Sequence, residues 1–422
     1  MNTKQQFTGR QLGAALYAAL VAFLTYASIY AYRKPFTVAT FEGISFGGIP
    51  YQTLLVISQV VGYMLSKFYG IRFIAELKRM GRWKTSAVLI GTAWLALLFF
   101  AIVPAPWGIP FLLVNGFMLG FMWGIVFSYI EGRRATDFIG SALAVSFIFA
   151  GGFTRSVAVW LRDLLQLPDA WIGFATGAVF CLPLIGLLFL LEKIPPPDAA
   201  DISERTIRQP MNKASRQQLL QQFGWGLLLV TITYLFLTIM RDIRDNFMTN
   251  MWNELGYGKK PAIFTQTETI TSIIVLAIMS GLVLIRKNIL AFRIAHIVIT
   301  TGFLVAGISS ALFISNQLSG AAWMQLTGLG LYMAYIPFNC IFFERFIASF
   351  KIAGNVGFLI YIADAWGYLG SVAIMVTKEI LKINLNWSAF YSNGVIVFSV
   401  IGITGTVLSL LYFNKKHRTL QS

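Results

Sequence analysis

Twelve runs of roughly twenty or more mostly apolar residues, separated by short polar connections, dominate this chain. A helix needs ~20 such residues to cross the hydrocarbon core of a bilayer. The runs fall at roughly 11–41, 50–76, 84–103, 107–129, 137–161, 168–192, 222–250, 261–285, 289–314, 320–345, 351–377 and 387–413. Such a pattern predicts an all-α polytopic membrane protein, because a helix satisfies its own backbone polar groups where no water can. Composition agrees. Of 422 residues, 57% are hydrophobic and only 12% are charged, and the mean hydropathy is +0.70. That lies outside the range of an ordinary soluble domain. The net charge of +16 would suit a nucleic-acid binder, but the basic residues sit in short loops between apolar runs, which is a topology signal. No nucleic-acid partner is expected; the lipid bilayer is the expected surrounding. Cys181 and Cys340 fall in apolar runs and read as small buried hydrophobes. The first run is too long for a cleaved secretory signal and lacks a small-residue cleavage site, so it reads as a span.

One connection is long. From Lys193 it carries Pro195-Pro196-Pro197 and then a mixed charged stretch, which reads as a polar linker. The expected organisation is a six-helix bundle over 1–192, a cytoplasmic linker over 193–221 and a second six-helix bundle over 222–422. With both termini inside, the inner segments hold twenty-three Lys and Arg. The outer loops hold five: Arg162, Lys259, Lys260, Lys378 and Lys382. The positive-inside rule then puts both termini in the cytoplasm of a cell (inner) membrane. The halves look duplicated. Gln52 and Gln266 each precede Thr at the start of an even-numbered run. Arg33 and Arg244 each begin Arg-x-x-Phe, Glu131 and Glu344 each close a run before an Arg, and Gly140 and Gly354 each open the next. Their offsets of 214, 211, 213 and 214 are nearly constant, as a repeated unit requires.

Charges inside the spans are the functional candidates, since a cation at the centre of a membrane helix costs at least ~2.5–3.5 kcal/mol. The first run holds Tyr26-Ala27-Ser28-Ile29-Tyr30-Ala31-Tyr32-Arg33-Lys34-Pro35-Phe36. The seventh holds Met240-Arg241-Asp242-Ile243-Arg244-Asp245-Asn246-Phe247. Arg33 lies about twenty-two residues into its run and Arg241 about nineteen into its own, which at ~1.5 Å per residue gives similar depth. A guanidinium fork suits an oxyanion bidentately. The competing reading is snorkelling to the outer surface, or neutralisation by a carboxylate such as Asp242 or Asp245 beside Arg244.

Twelve spans in two parallel repeats with a long central loop resemble the major facilitator superfamily. The stretch from Gly70 to Lys84 is similar to that superfamily's Gly-x-x-x-Asp-Arg-x-Gly-Arg-Arg loop, most closely over Arg79-x-Gly81-Arg82, with Glu76 in place of the Asp. Within the superfamily, Tyr30-x-Tyr32-Arg33-Lys34-x-Phe36 resembles helix one of the organophosphate:phosphate antiporters. That resemblance implies that Arg33, Lys34 and a helix-seven arginine bind phosphate at the midplane. Arg241 matches the family's aromatic spacing through Phe247, whereas Arg244 is the better internal-repeat match. The family's helix-five histidine has no counterpart, and Arg155 is the nearest basic residue there.

Other candidates follow from position. Arg155 comes after Gly151-Gly152, which allow close helix approach. Asp364 and Glu268 are intramembrane carboxylates that either pair with Arg155, Arg241 or Arg244 or carry a coupling proton. Glu131, Arg133, Glu344 and Arg345 close the fourth and tenth runs and read as gate salt bridges. Tyr30, Trp123, Tyr335 and Tyr361 are cavity-lining candidates. No catalytic triad, Walker loop or metal cluster appears in the sequence, so neither enzyme activity nor a cofactor is expected. The expected function is secondary transport of a small, phosphorylated or otherwise acidic anion by a monomer, with a proton or inorganic phosphate as the coupling species. Two rivals are a proton-coupled carrier of a neutral or amphiphilic solute, using Asp364 and Glu268, and a transporter-like receptor.

Overall fold

The computed structural model describes residues 9–76, 81–131, 133, 135–197, 213–258, 260–352, 356–381, 383 and 386–420, without the side chains of 10, 70–76, 213–216, 356–358 and 361–362. The first half holds α1 (Gly9–Ile29), α2 (Tyr51–Glu76), α3 (Arg82–Ile102), α4 (Ile109–Gly120), α5 (Met122–Ile130), α6 (Thr136–Leu165) and α7 (Ile172–Glu192). The second holds α8 (Lys213–Asn246), α9 (Met248–Glu254), α10 (Ala262–Val283), α11 (Asn288–Ile314), α12 (Gly320–Cys340), α13 (Phe342–Phe350), α14 (Val356–Ile380) and α15 (Trp387–Thr419). With α4–α5, α8–α9 and α12–α13 each counted as one interrupted span, these are twelve spans in two six-helix halves. The lone sheet among the described residues is a hairpin, Ser45–Phe46 against Ile49–Pro50, before α2. Its turn needs the positive φ of Gly47 and Gly48, which glycine adopts without steric cost.

Nine described helices are long and apolar enough to cross a membrane, and the bent pair α12–α13 makes a tenth. The remaining two spans, α2 and α15's predecessor α14, are 26 and 25 residues long but carry polar side chains such as Gln52, Gln59, Lys67 and Asp364. Those two pack against each other across the halves. The apolar surface expected of a lipid-facing wall is present on α7, where Leu182, Ile185 and Phe189 are exposed. This is a multi-pass membrane protein.

Boundaries differ from the apolar runs for identifiable reasons. The first run, 11–41, is not one helix: it leaves the α form after Ile29 and continues as 3-10 turns at Tyr30–Tyr32 and Pro35–Val38. The seventh begins at Lys213 rather than 222, because Lys, Ala, Arg, Gln and Leu there all favour helix. The fourth breaks at Phe121, and the tenth bends by 47° at Ile341, just after Pro337, which cannot donate to the helical ladder. Cys181 and Cys340 are free and half-buried rather than buried. Of the stretch resembling the superfamily motif, residues 70–76 form the end of α2 and are described without side chains, 77–80 lie outside the described residues, and Arg82 opens α3.

The halves meet where α6 packs on α10 and α12, and where α2 packs on α14. A Cβ on Gly152 would collide with the carbonyl oxygen of Phe264 in α10, so glycine there sets the approach of the halves.

Candidate functional site

Pro35 shapes the first arginine's surroundings. It lacks an N–H and its ring clashes with a helical carbonyl four residues back, and the span breaks beside it. The amides of Arg33 and Lys34 both turn back to the Tyr30 carbonyl at 3.0 Å. Carbonyls freed by the break need partners at membrane depth. Asn115 of α4 donates to Tyr32 O at 3.0 Å, Gln59 of α2 donates to Arg33 O at 3.0 Å, and the two amides join at 2.8 Å. The Arg33 guanidinium then lies 3.9 Å from the centroid of the Tyr63 ring and 5.8 Å from that of Tyr30. It is 6% exposed and pairs with no described carboxylate; its Nε is buried without a hydrogen-bond partner.

The seventh span breaks in the equivalent place, at Phe247 between α8 and α9. Arg241 donates to the Tyr335 hydroxyl at 2.6 Å, to Asp242 at 2.6 Å and to the Tyr368 hydroxyl at 3.2 Å. Tyr63 packs on Tyr368 with centroids 5.2 Å apart, and Tyr30 lies within electrostatic reach of both Arg33 and Arg241. The structure therefore gathers Arg33, Arg241, Tyr30 and Tyr335 at the seam between the halves. Trp123 joins them through Tyr26, at 5.2 Å. The side chain of Tyr361 lies outside the described residues.

The other basic candidates are occupied. Lys34 Nζ is 2.6 Å from Asp245 and donates to Asn246 at 2.8 Å. Arg155 donates to the same Asp245 carboxylate at 3.1 Å, to its backbone carbonyl, to Gly151 O at 2.7 Å and to Thr37 at 3.2 Å. Asp245 is thus the shared anion of two first-half cations. Arg244 pairs with Glu268 at 2.6 Å, inside the second half. It fits there because position 328 is glycine: a Cβ would meet the guanidinium. The sequence offered Asp242, Asp245, Asp364 and Glu268 as partners of Arg244; the structure pairs it with Glu268, while Asp242 serves Arg241 and Asp245 serves Lys34 with Arg155.

Asp364 meets none of the arginines proposed for it. It accepts from the Tyr234 hydroxyl and lies 3.9 Å from Lys67 of α2. Lys67, inside the second apolar run, is 6% exposed and 4.8 Å from the Tyr63 ring. Tyr63, Lys67, Tyr234 and Tyr368 are the site neighbours that sequence reasoning passed over. The signal for the first two was Tyr and Lys four residues apart on one face of a polar span.

Glu131, Arg133, Glu344 and Arg345 lie away from this cluster, at the ends of the fourth and tenth spans. There Arg345 donates to Asp137 of α6 at 3.2 Å and to Asn288 at 2.7 Å, and the Arg345–Asp137 ion pair joins the halves at that end. Arg133 donates to the Pro195 carbonyl. At the opposite end the halves are joined by Gln52 and Asn250, which exchange hydrogen bonds of 3.0 and 2.9 Å. Ser156 also donates to Pro261 O at 2.5 Å there.

Among the described residues, the buried charged side chains are Arg33, Lys34, Lys67, Arg155, Arg241 and Arg244 against Asp242, Asp245, Glu268 and Asp364. Six cations face four carboxylates, leaving a formal excess of two positive charges.

Residues 35–416 match a family described as "Family of unknown function (DUF5690)". The chain belongs to that family. No curated protein matches the chain. Among solved structures, this DUF5690 member is similar to the nucleoside transporter NupG at 14% identity and TM-score 0.61, covering 95% of this chain and 100% of that one. It is similar to a bacterial homologue of the human drug peptide transporters PepT1 and PepT2 at 13% identity and TM-score 0.63, covering 97% and 99%. A D-xylose-proton symporter gives 15% and 0.62, covering 94% and 97%. At such identities the likeness shows the fold alone, and the fold is the one shared with the major facilitator superfamily proton:xylose symporter XylE, at 14% identity and TM-score 0.59, covering 96% of each chain.

Proposed function

We propose that this protein is a secondary transporter that moves a small organic anion by alternating access. The observation that carries the reading is Arg33: a buried guanidinium at the seam of the halves, with no described carboxylate to neutralise it. A buried cation left unpaired costs several kcal/mol, whereas a bound oxyanion offsets that cost. Arg241 stands across the seam as the second donor. It and Arg244 are each paired with a carboxylate, but Arg241 bonds to Tyr368, which packs on the Tyr63 ring beneath Arg33, whereas Arg244 lies against Tyr332. Lys34, Arg155 and Asp245 act as a latch between the halves. Glu131, Arg133, Glu344 and Arg345 belong to the gate at the other end, with Arg345–Asp137 as its pair. A phosphorylated substrate, as in the organophosphate:phosphate antiporters, is one member of the anion class; inner-membrane insertion with cytoplasmic termini and a monomeric state complete the reading.

A second reading is favoured by Asp364. It accepts from Tyr234 and lies 3.9 Å from Lys67 rather than against an arginine, which is the place a proton-coupled carrier would give its coupling carboxylate. Uptake by the purified protein in liposomes separates the two. Uptake of labelled carboxylates or phosphates, lost in Arg33→Gln, supports the anion reading. Uptake of neutral solutes driven by a pH gradient and lost in Asp364→Asn supports the second. No uptake of either, with ligand still binding, points to a receptor.

A further inference from the structure

The rings beside the two arginines close on themselves. From Arg33 the circuit runs to Tyr30 at 5.8 Å, to Tyr26 at 5.6 Å, to Trp123 at 5.2 Å, to Phe147 at 5.8 Å and to Tyr335 at 6.2 Å. Arg241 lies 4.7 Å from the Tyr335 ring and 5.4 Å from that of Tyr368. Tyr368 meets Tyr63 at 5.2 Å, and Tyr63 returns to Arg33 at 3.9 Å. The circuit crosses between the halves at Phe147–Tyr335 and at Tyr63–Tyr368. Its five tyrosines are no more than 5% exposed. Aromatic side chains in a chain this rich normally pack on lipid or on one helix neighbour; here they surround the seam together with two guanidinium groups.

Charge sets the second half of the argument. Within the collar Arg241 is compensated by Asp242, and Arg33 alone is uncompensated. The second excess charge of the buried set belongs to Lys34 and Arg155, which share the one carboxylate of Asp245 outside the ring circuit, and Lys67 lies beside Asp364. One spare guanidinium matches one negative charge. A doubly charged phosphate ester asks for more charge and more donors than the collar leaves free.

We infer that this site, on the anion-transport reading above, takes a planar aromatic monocarboxylate. The carboxylate lies on the Arg33 fork, where two parallel N–H···O bonds form. The ring stacks or meets edge-on with the collar, as aromatic quadrupoles prefer. A saturated ring of similar size has no such quadrupole and buries less well between flat faces.

The test is equilibrium binding to the full-length protein in nanodiscs, with benzoate, cyclohexanecarboxylate, benzamide and inorganic phosphate as the probes. Benzoate should bind about tenfold tighter than cyclohexanecarboxylate, the scale set by aromatic contacts on more than one face. It should also bind tighter than phosphate, and benzamide should not bind. Trp123→Leu should remove the preference for benzoate over cyclohexanecarboxylate, and Trp123→Phe should keep it, with melting curves establishing that both variants are folded. Equal binding of the two carboxylates, or tightest binding of phosphate, overturns the aromatic inference and leaves the anion reading standing. Benzamide binding as well as benzoate, or no binding by any of the three anions, overturns the anion reading itself. The probe series decides the matter in the unaltered protein, whatever the variants do.

Discussion

The guanidinium of Arg33 lies 3.9 Å from the centre of the Tyr63 ring and pairs with no described carboxylate, while Arg244, also buried, is matched to Glu268 at 2.6 Å. Two arginines of similar burial thus have opposite electrostatic status, and opposite responses to substitution follow.

Arg33→Gln should leave the melting temperature in detergent close to that of the parent. It loses a cation–π contact of about 0.5–2 kcal/mol and removes an uncompensated buried charge, which offsets that loss. Arg244→Gln should destabilise by ~3–5 kcal/mol, because Glu268 is left buried without its partner. Equal melting temperatures for the two variants would refute the contrast.

Asp245→Asn deprives Lys34 and Arg155 of their shared counter-ion and should loosen the contact between the halves at the end bearing Gln52 and Asn250. A cysteine introduced at Thr265, which bonds to Ser156 across that seam at 2.7 Å, should then be labelled faster by a membrane-impermeant maleimide. Unchanged labelling would separate the ion cluster from the opening of this end.

The pair Arg345–Asp137 is partly exposed, at 14% and 27% of its side chains, and such pairs are worth ~0–1 kcal/mol. Arg345→Gln should therefore raise the accessibility of the neighbouring seam while shifting the melting temperature little. A collapse in expression or melting temperature would mean that Arg345 holds the fold and not a gate.

How far the sequence foretold these groups depended on what each contact needed. The twelve spans were legible, because hydrophobic length is a property of each run alone. The breaks at Lys34 and Phe247 were half legible: Pro35 announces the first, whereas nothing in Arg244-Asp245-Asn246-Phe247 announces the second. Arg33 and Arg241 stood out because a cation in an apolar run is costly wherever it points. Their neighbours did not stand out. Tyr63 and Tyr368 sit 305 residues apart in sequence, and tyrosine in a span carries no penalty that would mark it. The partner of Arg244 was legible only as one of several carboxylates, Glu268 among them. Asp242 and Asp245 were nearer in sequence, but on a helix they point away from it, and Glu268 arrives from another span.

Topology gives a further test. Reporter fusions after Gly258 and after Lys416 should report the outer and the cytoplasmic side respectively, from the excess of Lys and Arg in the even-side loops. The same side for both would contradict the arrangement of twelve spans in two halves.

The most direct test of the central claim is the thermal stabilisation of the purified protein by added benzoate or phosphate, compared between the parent and Arg33→Gln. A ligand that binds only the folded state stabilises it by about 2.7 kcal/mol at a hundredfold excess over Kd. The parent should show a saturable rise in melting temperature with an anion, Arg33→Lys a weaker one, since the charge stays and the planar fork is lost. Arg33→Gln should show none while melting near the parent temperature. A full anion-dependent rise in Arg33→Gln would contradict the assignment of Arg33 as the anion ligand.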